Sequence, residues 1–259
     1  MWYRVSRNMA IIDAKMSGYF QQYVVPLAGL FIVLRILHSI CLKLHPIVFA
    51  IICPIMSKRH HGIIKEQKEK LFSELLNSRD DSNQRFWALE IGCGSGQNFA
   101  FYPPNTSLAV VEPNSRFETS VTKNAANYPS LEITKFLSMG AEDLKGHVED
   151  SSLDAVVSTL TMCSVKDIEA VLREVYRILK PGGRFFFIEH TQTHTKNSWT
   201  HLFQRILAPL FYSLAGCHIN NTFYATLDRA SFGKVQYTKM DIRKCPRLFR
   251  SHVFGCATK

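Results

Sequence analysis

The sequence has little of what marks several common protein classes. Of 259 residues only 13 are glycine and 10 proline, which excludes a collagen-like or low-complexity chain. With 46% hydrophobic against 20% charged residues it is not a disordered one either, and a single sizeable core can form. The seven cysteines are an odd number and no two stand at C-x-x-C spacing, so neither a disulfide framework nor a cysteine-rich zinc site is indicated. A reducing compartment follows. Acidic residues are the scarcer sign. The formal net charge is +10, unevenly placed as +7 over residues 1–70 and +3 over 71–259. The basic residues border an apolar tract and form no surface interleaved with stacking groups, so a membrane is the expected partner and nucleic acid is not. No internal repeat is visible, and nothing points to an obligate protein partner.

A clean spanning run is also missing. Tyr23 to Met56 is apolar almost throughout but is interrupted by Arg35, His38, Lys43 and His45 and by Pro26, Pro46 and Pro54. The longest uncharged stretches are Met16–Leu34, 19 residues, and Leu44–Met56, 13 residues, whereas a spanning helix needs about 20 mostly apolar residues. Two placements compete: a helix over about 19–37 that spans with Arg35 snorkelling, or two shorter helices forming a hairpin in one leaflet. The second is favoured. A cleaved signal peptide fits poorly because no small-x-small site follows. A buried helical hairpin is the soluble alternative, although the apolar residues cover all helix faces. The cluster Lys58, Arg59, His60, His61 marks the following side as cytosolic. The expected organisation is an anchoring segment 1–61, a connector helix and link 62–85, and a catalytic domain 86–259.

Phe86–Ile91 reads as a strand and stops at Gly92-Cys93-Gly94-Ser95-Gly96. A strand feeding a glycine loop and then a helix offers backbone N–H groups to a ligand without side-chain obstruction. The dinucleotide fingerprint G-x-G-x-x-G is not met, because position 97 is Gln, whereas Glu90 stands two residues before the first glycine. This E-x-G-x-G-x-G pattern resembles the nucleotide loop of class I S-adenosylmethionine-dependent methyltransferases. Leu108–Val111 is the next strand, and Glu112 ends it where a carboxylate can accept both ribose hydroxyls. After a third strand, Leu131–Leu137, the turn Met139 to Leu144 carries Ala141, Glu142 and Asp143, with polar groups suited to an adenine edge. Strand four, Leu153–Leu160, includes Thr159 and leads to Thr161, Met162 and Cys163, at the sheet end where open α/β folds bind ligands. Asp167 caps a helix with apolar spacing at 168, 171, 172, 175, 178 and 179, which Lys180-Pro181-Gly182-Gly183 is expected to stop. Strand five is Arg184–Ile188. Trp199–Leu214 is an aromatic helix interrupted at Pro209, and 235–242 and 252–258 complete the sheet with one antiparallel edge strand. The alternation specifies a doubly wound, mostly parallel seven-stranded α/β sheet, Rossmann-like, preceded by the apolar anchor.

The stretches LEIGCGSGQNFAFYPP (89–104), VVEPN (110–114), STLTMCSV (158–165), LREVYRILKPGG (172–183), FFIEH (186–190) and DRASF (228–232) resemble the methyltransferase-like 7 family of membrane-associated animal thiol S-methyltransferases. The similarity spans about residues 62–259. NFAFYPP is its most specific part, a short first helix ended by Pro103-Pro104. The resemblance implies S-adenosylmethionine as cofactor, endoplasmic reticulum and lipid droplets as location, a catalytic domain facing the cytosol, and small lipophilic alkyl thiols as acceptors. Cofactor contacts are implied at Glu90, Gly92, Cys93, Gly94, Gly96, Glu112, Pro113, Asn114, Ala141, Glu142, Asp143, Thr159 and Leu160. The sequence departs from the family at Glu112, where Asp is expected, and at INNTFY (219–224), which bears on acceptor identity.

Methyl transfer from a sulfonium is an in-line displacement and needs no metal. A thiol with a pKa near about 8.5 is partly ionised at neutral pH, so a dedicated base is optional. His190, just beyond strand five with Glu189 beside it, is the best-placed catalytic candidate, and a satisfied structural histidine is its alternative. Cys93 and Cys163 read as packing residues. Two other functions stay open: methylation of a lipid or quinone acceptor, and a non-catalytic scaffold on droplets or reticulum, which the intact loop argues against.

Overall fold

In a computed structural model the described residues are 58–77 and 84–259, together with Ile32, Val33, Arg35 and Ser39, which are helical. The chain divides into two compact units, Met1–Val48 and Phe49–Lys259, and the second holds the sheet and the helices around it. Apart from those four residues and 58–61 the expected anchor lies outside the described ones. Among the described residues no helix is long and apolar enough to cross a membrane.

Helix α1 (Lys65–Asn77) is a layer of the domain. Its exposed side is set by Lys65–Glu69 and Glu66–Lys70 pairs one turn apart, and its other side buries Leu71, Phe72, Leu75 and Lys68. These pack on one face of the sheet with Phe86, Ala88, Leu108, Val110, Phe186 and Ile188. The strands are β1 (Phe86–Ile91), β2 (Thr106–Val111), β3 (Leu131–Leu137), β4 (Leu153–Thr159), β5 (Leu179–His190), β6 (Lys234–Asp241) and β7 (Ser251–Thr258). Between them come α2 (Glu118–Ala125), α3 (Ile168–Ile178), α4 (Trp199–Ala215) and α5 (Phe223–Leu227). The other face is covered by α3 and α5, against Leu89, Val156, Phe185 and Phe187. Phe185, Phe186 and Phe187 are consecutive and fully buried, pointing alternately to the two faces. Only a strand covered on both sides tolerates such a run.

The strand order is β3-β2-β1-β4-β5-β7-β6. Strands β1 to β5 run parallel, and β7 is antiparallel to both β5 and β6. This corrects the expected antiparallel edge. The short connection 242–250 forces β7 to reverse after β6, and β7 inserts inside the sheet because its residues are buried, leaving β6 with alternating exposure at the rim. One expectation holds and three further ones change. Asp167 does cap α3, accepting from the Ala170 N–H at 3.0 Å. The Lys180-Pro181-Gly182-Gly183 run ends that helix but lies within β5, as an irregularity in its pairing with β4. Helix α4 continues through Pro209, held by the Ser198 cap and by Gly216 in the left-handed conformation. After the glycine loop there is no α-helix, only a 3₁₀ turn at Phe99–Phe101, so helix α1 supplies the packing instead.

Gly255 of β7 lies against β6: a Cβ there would lie 2.1 Å from the Gln236 carbonyl oxygen and 2.6 Å from the Tyr237 Cα. Gly255→Ala is therefore expected to push β6 off the sheet and cost about 3 kcal/mol or more. A chemical-unfolding midpoint unchanged from wild type would contradict that close approach.

Candidate active site

The parallel strands end along one edge, and the strand order reverses between β1 and β4, the place where α/β sheets open a crevice. The glycine loop lies there. Gly92, Gly94 and Gly96 have φ of 67°, 51° and 82°, but they answer to different demands. A Cβ on Gly92 would collide with the Thr161 side chain at 2.3 Å, and one on Gly96 with the Phe99 ring at 2.4 Å. One on Gly94 meets nothing within 4 Å. The outer two glycines admit the protein's own packing, and Gly94 alone of the three faces open space. The loop is held from outside by Asn124 of α2, whose amide donates to the Ser95 and Gly96 carbonyls at 3.0 and 2.8 Å. From α1 the buried Lys68 ammonium donates to the Gln97 carbonyl at 2.7 Å. Burial lowers the Lys68 pKa to about 8.

Glu112 closes β2 with its carboxylate under Gly94. It accepts the Gly94 N–H on one oxygen and the Asn114 N–H on the other, each at 3.1 Å. A carboxylate has room for about four such bonds, so each oxygen keeps a lone pair for a ligand hydroxyl. Burial raises the Glu112 pKa and the two N–H bonds oppose it. Pro113 beside it is exposed.

The other residues singled out in the sequence have the following surroundings. Glu90 is buried beneath the loop, accepting from Asn98 Nδ2 and Tyr102 OH, both at 2.9 Å. Desolvation pushes its pKa up to about 7. Asn98 also reaches Thr159 Oγ1 at 2.8 Å, and its own Oδ1 is buried without a partner among the described residues. Cys93 is buried, which pushes its thiol far up and out of reactive range. Ala141 packs in the core. Glu142 accepts the Lys166 N–H at 2.8 Å and so closes the loop after β4, and the exposed Asp143 accepts from the Lys145 N–H. Leu160, directly after β4, has φ 57°, an uncommon backbone for leucine that sits at the site's edge.

The acceptor side forms where β4 and β5 end. Glu189 is fully buried and accepts from Ser158 Oγ (2.6 Å) and from the N–H groups of Thr161 (2.8 Å) and Met162 (3.0 Å), pinning the turn after β4. Burial raises its pKa to about 7. His190, on the opposite side of the strand, has Nε2 3.1 Å from Cys217 Sγ, and the ligating atoms of Cys163, His190 and Cys217 lie within 4.8 Å of one another. His190 Nδ1 is buried and has no hydrogen-bond partner among the described residues. The Cys163 thiol is raised well above its ordinary pKa, by its bond to Cys217 and by burial, so it stays protonated. Asn221, inside INNTFY, donates to the His190 carbonyl at 2.9 Å. A cleft of about 400 Å³ opens on the flank between Met162, Lys166, His218 and Asn221. Cys217 escaped the sequence reading because no local spacing ties it to the loop, whereas Asn98, Tyr102 and Asn221 lie inside NFAFYPP and INNTFY, whose sequence does not show the individual partners.

A family model described as a methyltransferase domain matches residues 89–187, from within β1 to within β5. Human Thiol S-methyltransferase TMT1A is 37% identical over 194 residues, covering 74% of this chain and 78% of that protein. The chain belongs to the TMT1A/TMT1B family. Rat Thiol S-methyltransferase TMT1B is likewise 37% identical, over 189 residues, 73% of this chain and 76% of that one. Among solved structures, an S-adenosylmethionine-dependent methyltransferase from Thermotoga maritima, titled a possible histamine N-methyltransferase, superposes with a TM-score of 0.54 at 18% identity, covering 82% of this chain and 98% of that one. That likeness establishes the Rossmann-like methyltransferase fold. As a member of the TMT1A/TMT1B family the protein is an S-adenosylmethionine-dependent methyltransferase. Its residues fit the cofactor: Gly94 leaves an open cradle, and Glu112 has acceptor capacity beside it.

Proposed function

We propose that this protein is a membrane-associated methyltransferase that methylates the sulfur of small lipophilic thiols, on the cytosolic face of the endoplasmic reticulum and lipid droplets. The observation that carries the reading is His190 Nδ1, buried and without a hydrogen-bond partner among the described residues, while Nε2 lies 3.1 Å from Cys217 Sγ. S-adenosylmethionine, when bound, supplies a methyl carbon on a positively charged sulfur. Glu112 holds the ribose hydroxyls, and Gly94 allows close approach. With the hydrogen of His190 on Nε2, directed at Cys217, Nδ1 presents a lone pair that accepts the acceptor's S–H proton. A weak base suffices for a thiol, whereas a far less acidic alcohol would need a stronger one. The names of the relatives support the same acceptor.

Membrane association is supported by α4, which exposes Trp199, Leu202, Phe203, Ile206, Leu210 and Leu214 at spacings of three and four on one side. The apolar tract and the basic cluster after it agree. Detergent-solubilised full-length protein, given labelled S-adenosylmethionine with an alkyl thiol, its alcohol counterpart and a quinol, is expected to label the thiol alone. Glu112→Ala should reduce that transfer by about 10- to 100-fold through loss of charged hydrogen bonds. Label on the quinol would move the acceptor to the lipid and quinone class, and no transfer from a cofactor-binding protein would overturn the thiol assignment.

A further inference from the structure

Three side chains distant in sequence meet on the far side of His190. His60 belongs to the helical segment that follows the apolar tract, Cys245 to the connection between β6 and β7, and His252 to β7. His60 Nε2 lies 3.2 Å from His252 Nε2 and 3.8 Å from Cys245 Sγ, and all three ligating atoms are within 4.8 Å of one another. We infer that His60, Cys245 and His252 form a site for a zinc-class divalent cation, with three protein ligands and a fourth position left for water or an exogenous donor.

The spacing carries the argument. With zinc–nitrogen bonds of about 2.0–2.1 Å and a zinc–sulfur bond of about 2.3 Å, tetrahedral geometry puts two nitrogens about 3.3 Å apart and a nitrogen and sulfur about 3.6 Å apart. The nitrogen–nitrogen separation of 3.2 Å and the nitrogen–sulfur separation of 3.8 Å match those edges closely. The donor set, two imidazoles and one thiolate, suits a borderline-soft ion and not calcium or magnesium, which take oxygen. The tautomer is also decided. His252 Nδ1 lies 2.8 Å from the Arg250 carbonyl oxygen, which can only accept, so the hydrogen is on Nδ1 and the lone pair on Nε2 points at His60. A backbone carbonyl orienting a ligating ring in this way is the usual outer partner of a metal-bound histidine.

The frame is rigid. Arg250 donates through Nε to the Cys245 carbonyl at 3.1 Å, the Ile242 N–H bonds the Arg250 carbonyl at 2.8 Å, and Ser251 Oγ donates to Asp241 at 2.6 Å. Cys245 and His252 are buried and His60 lies at the rim, which leaves a way in. Both rings ligate as neutral imidazoles: on metal entry the hydrogen on His60 Nε2 passes to its Nδ1 through solvent at the rim, while His252 already carries its hydrogen on Nδ1. Cys245 alone gives up its S–H proton, to solvent, as its sulfur bonds the ion. Without metal the same atoms form a His60 Nε2–H to His252 Nε2 hydrogen bond, so the pocket survives unloaded. Loading would tie the segment leaving the apolar tract to the last hairpin of the sheet.

The test is the metal content of the full-length protein, expressed in zinc-supplemented medium and purified without chelator, and the absorption of its cobalt(II) form. One zinc per chain is expected, with thiolate-to-cobalt charge transfer in the near ultraviolet and the strong visible bands of four-coordinate cobalt. Loss of an outer partner typically costs about 10- to 100-fold in affinity, and loss of a direct ligand at least that much. Cys245→Ser should therefore lose both the zinc and the charge-transfer band, with its circular dichroism unchanged. His60→Gln, altered at the rim, provides a second variant should Cys245→Ser fail to fold. Cys163→Ser should keep the metal. Zinc absent from the wild type, or retained in Cys245→Ser and His60→Gln, or lost only in Cys163→Ser, overturns the assignment.

Discussion

Gly94→Leu is expected to weaken S-adenosylmethionine binding by at least about 100-fold while the domain stays folded. The left-handed backbone at φ 51° costs a non-glycine residue about 1–2 kcal/mol, a modest drop in unfolding midpoint. The side chain meets no protein atom within 4 Å and occupies the open cradle beside the Glu112 carboxylate. Each tenfold in affinity is about 1.4 kcal/mol, so displacement of a ligand from this space exceeds the folding cost. Gly92→Ala and Gly96→Ala supply the contrast. Their added carbons strike Thr161 and Phe99, so they should lower stability more than Gly94→Leu does. Calorimetric titration alongside unfolding curves separates the two effects. Gly94→Leu binding the cofactor normally would remove Gly94 from the ligand side of the loop.

The second large effect concerns Glu189. Glu189→Ala removes the acceptor for Ser158 Oγ and for the Thr161 and Met162 N–H groups. Buried donors left unpaired cost about 1–3 kcal/mol each, so a loss of about 3–5 kcal/mol is expected, together with a loosened turn at the acceptor side. Glu189→Gln behaves differently, because its amide oxygen can accept both N–H groups and its NH₂ can donate to the Ser158 hydroxyl. The native carboxyl has its pKa raised from 4.5 to about 7. The folded state thus holds a proton that the unfolded state has released. The stability this contributes is fully present below pH 4.5 and is gone once the pH has risen through about 7. The glutamine variant carries no such loss, so it should equal wild type at pH 5 and exceed it at pH 8. Glu90 titrates in the same direction in both proteins and drops out of the comparison. Equal damage from alanine and glutamine would show that the protonated form is not what the pocket accommodates.

Much of this was legible because it is local. A glycine loop after an apolar run, Glu112 at the end of the next strand, the Asp167 cap and the helical spacing from Ile168 to Ile178 depend on neighbours along the chain, and the structure places all of them as read. The differences arise where partners are distant. Pro209 argued for a broken helix, yet it removes a single N–H from a helix capped at both ends. Lys180-Pro181-Gly182-Gly183 argued for a stop followed by a gap, and pairing with β4 drew it into β5. Glu142, read as a group for the adenine edge, also accepts the Lys166 N–H across the crevice, a bond that no local spacing shows.

Residue pattern alone therefore decided the fold class, the order of strands and helices, and the cofactor loop, since each rests on periodicity or on spacing of a few residues. Only folding decided which glycine faces the ligand, which way β7 runs and where it inserts, and that His190 stands among Cys163 and Cys217. His60 and His252 are 192 residues apart and become neighbours at 3.2 Å because β7 inserts between β5 and β6 beside the segment preceding α1. No spacing rule reaches that far: long-range contacts are chosen by burial and strand pairing together, and both are properties of the whole sheet.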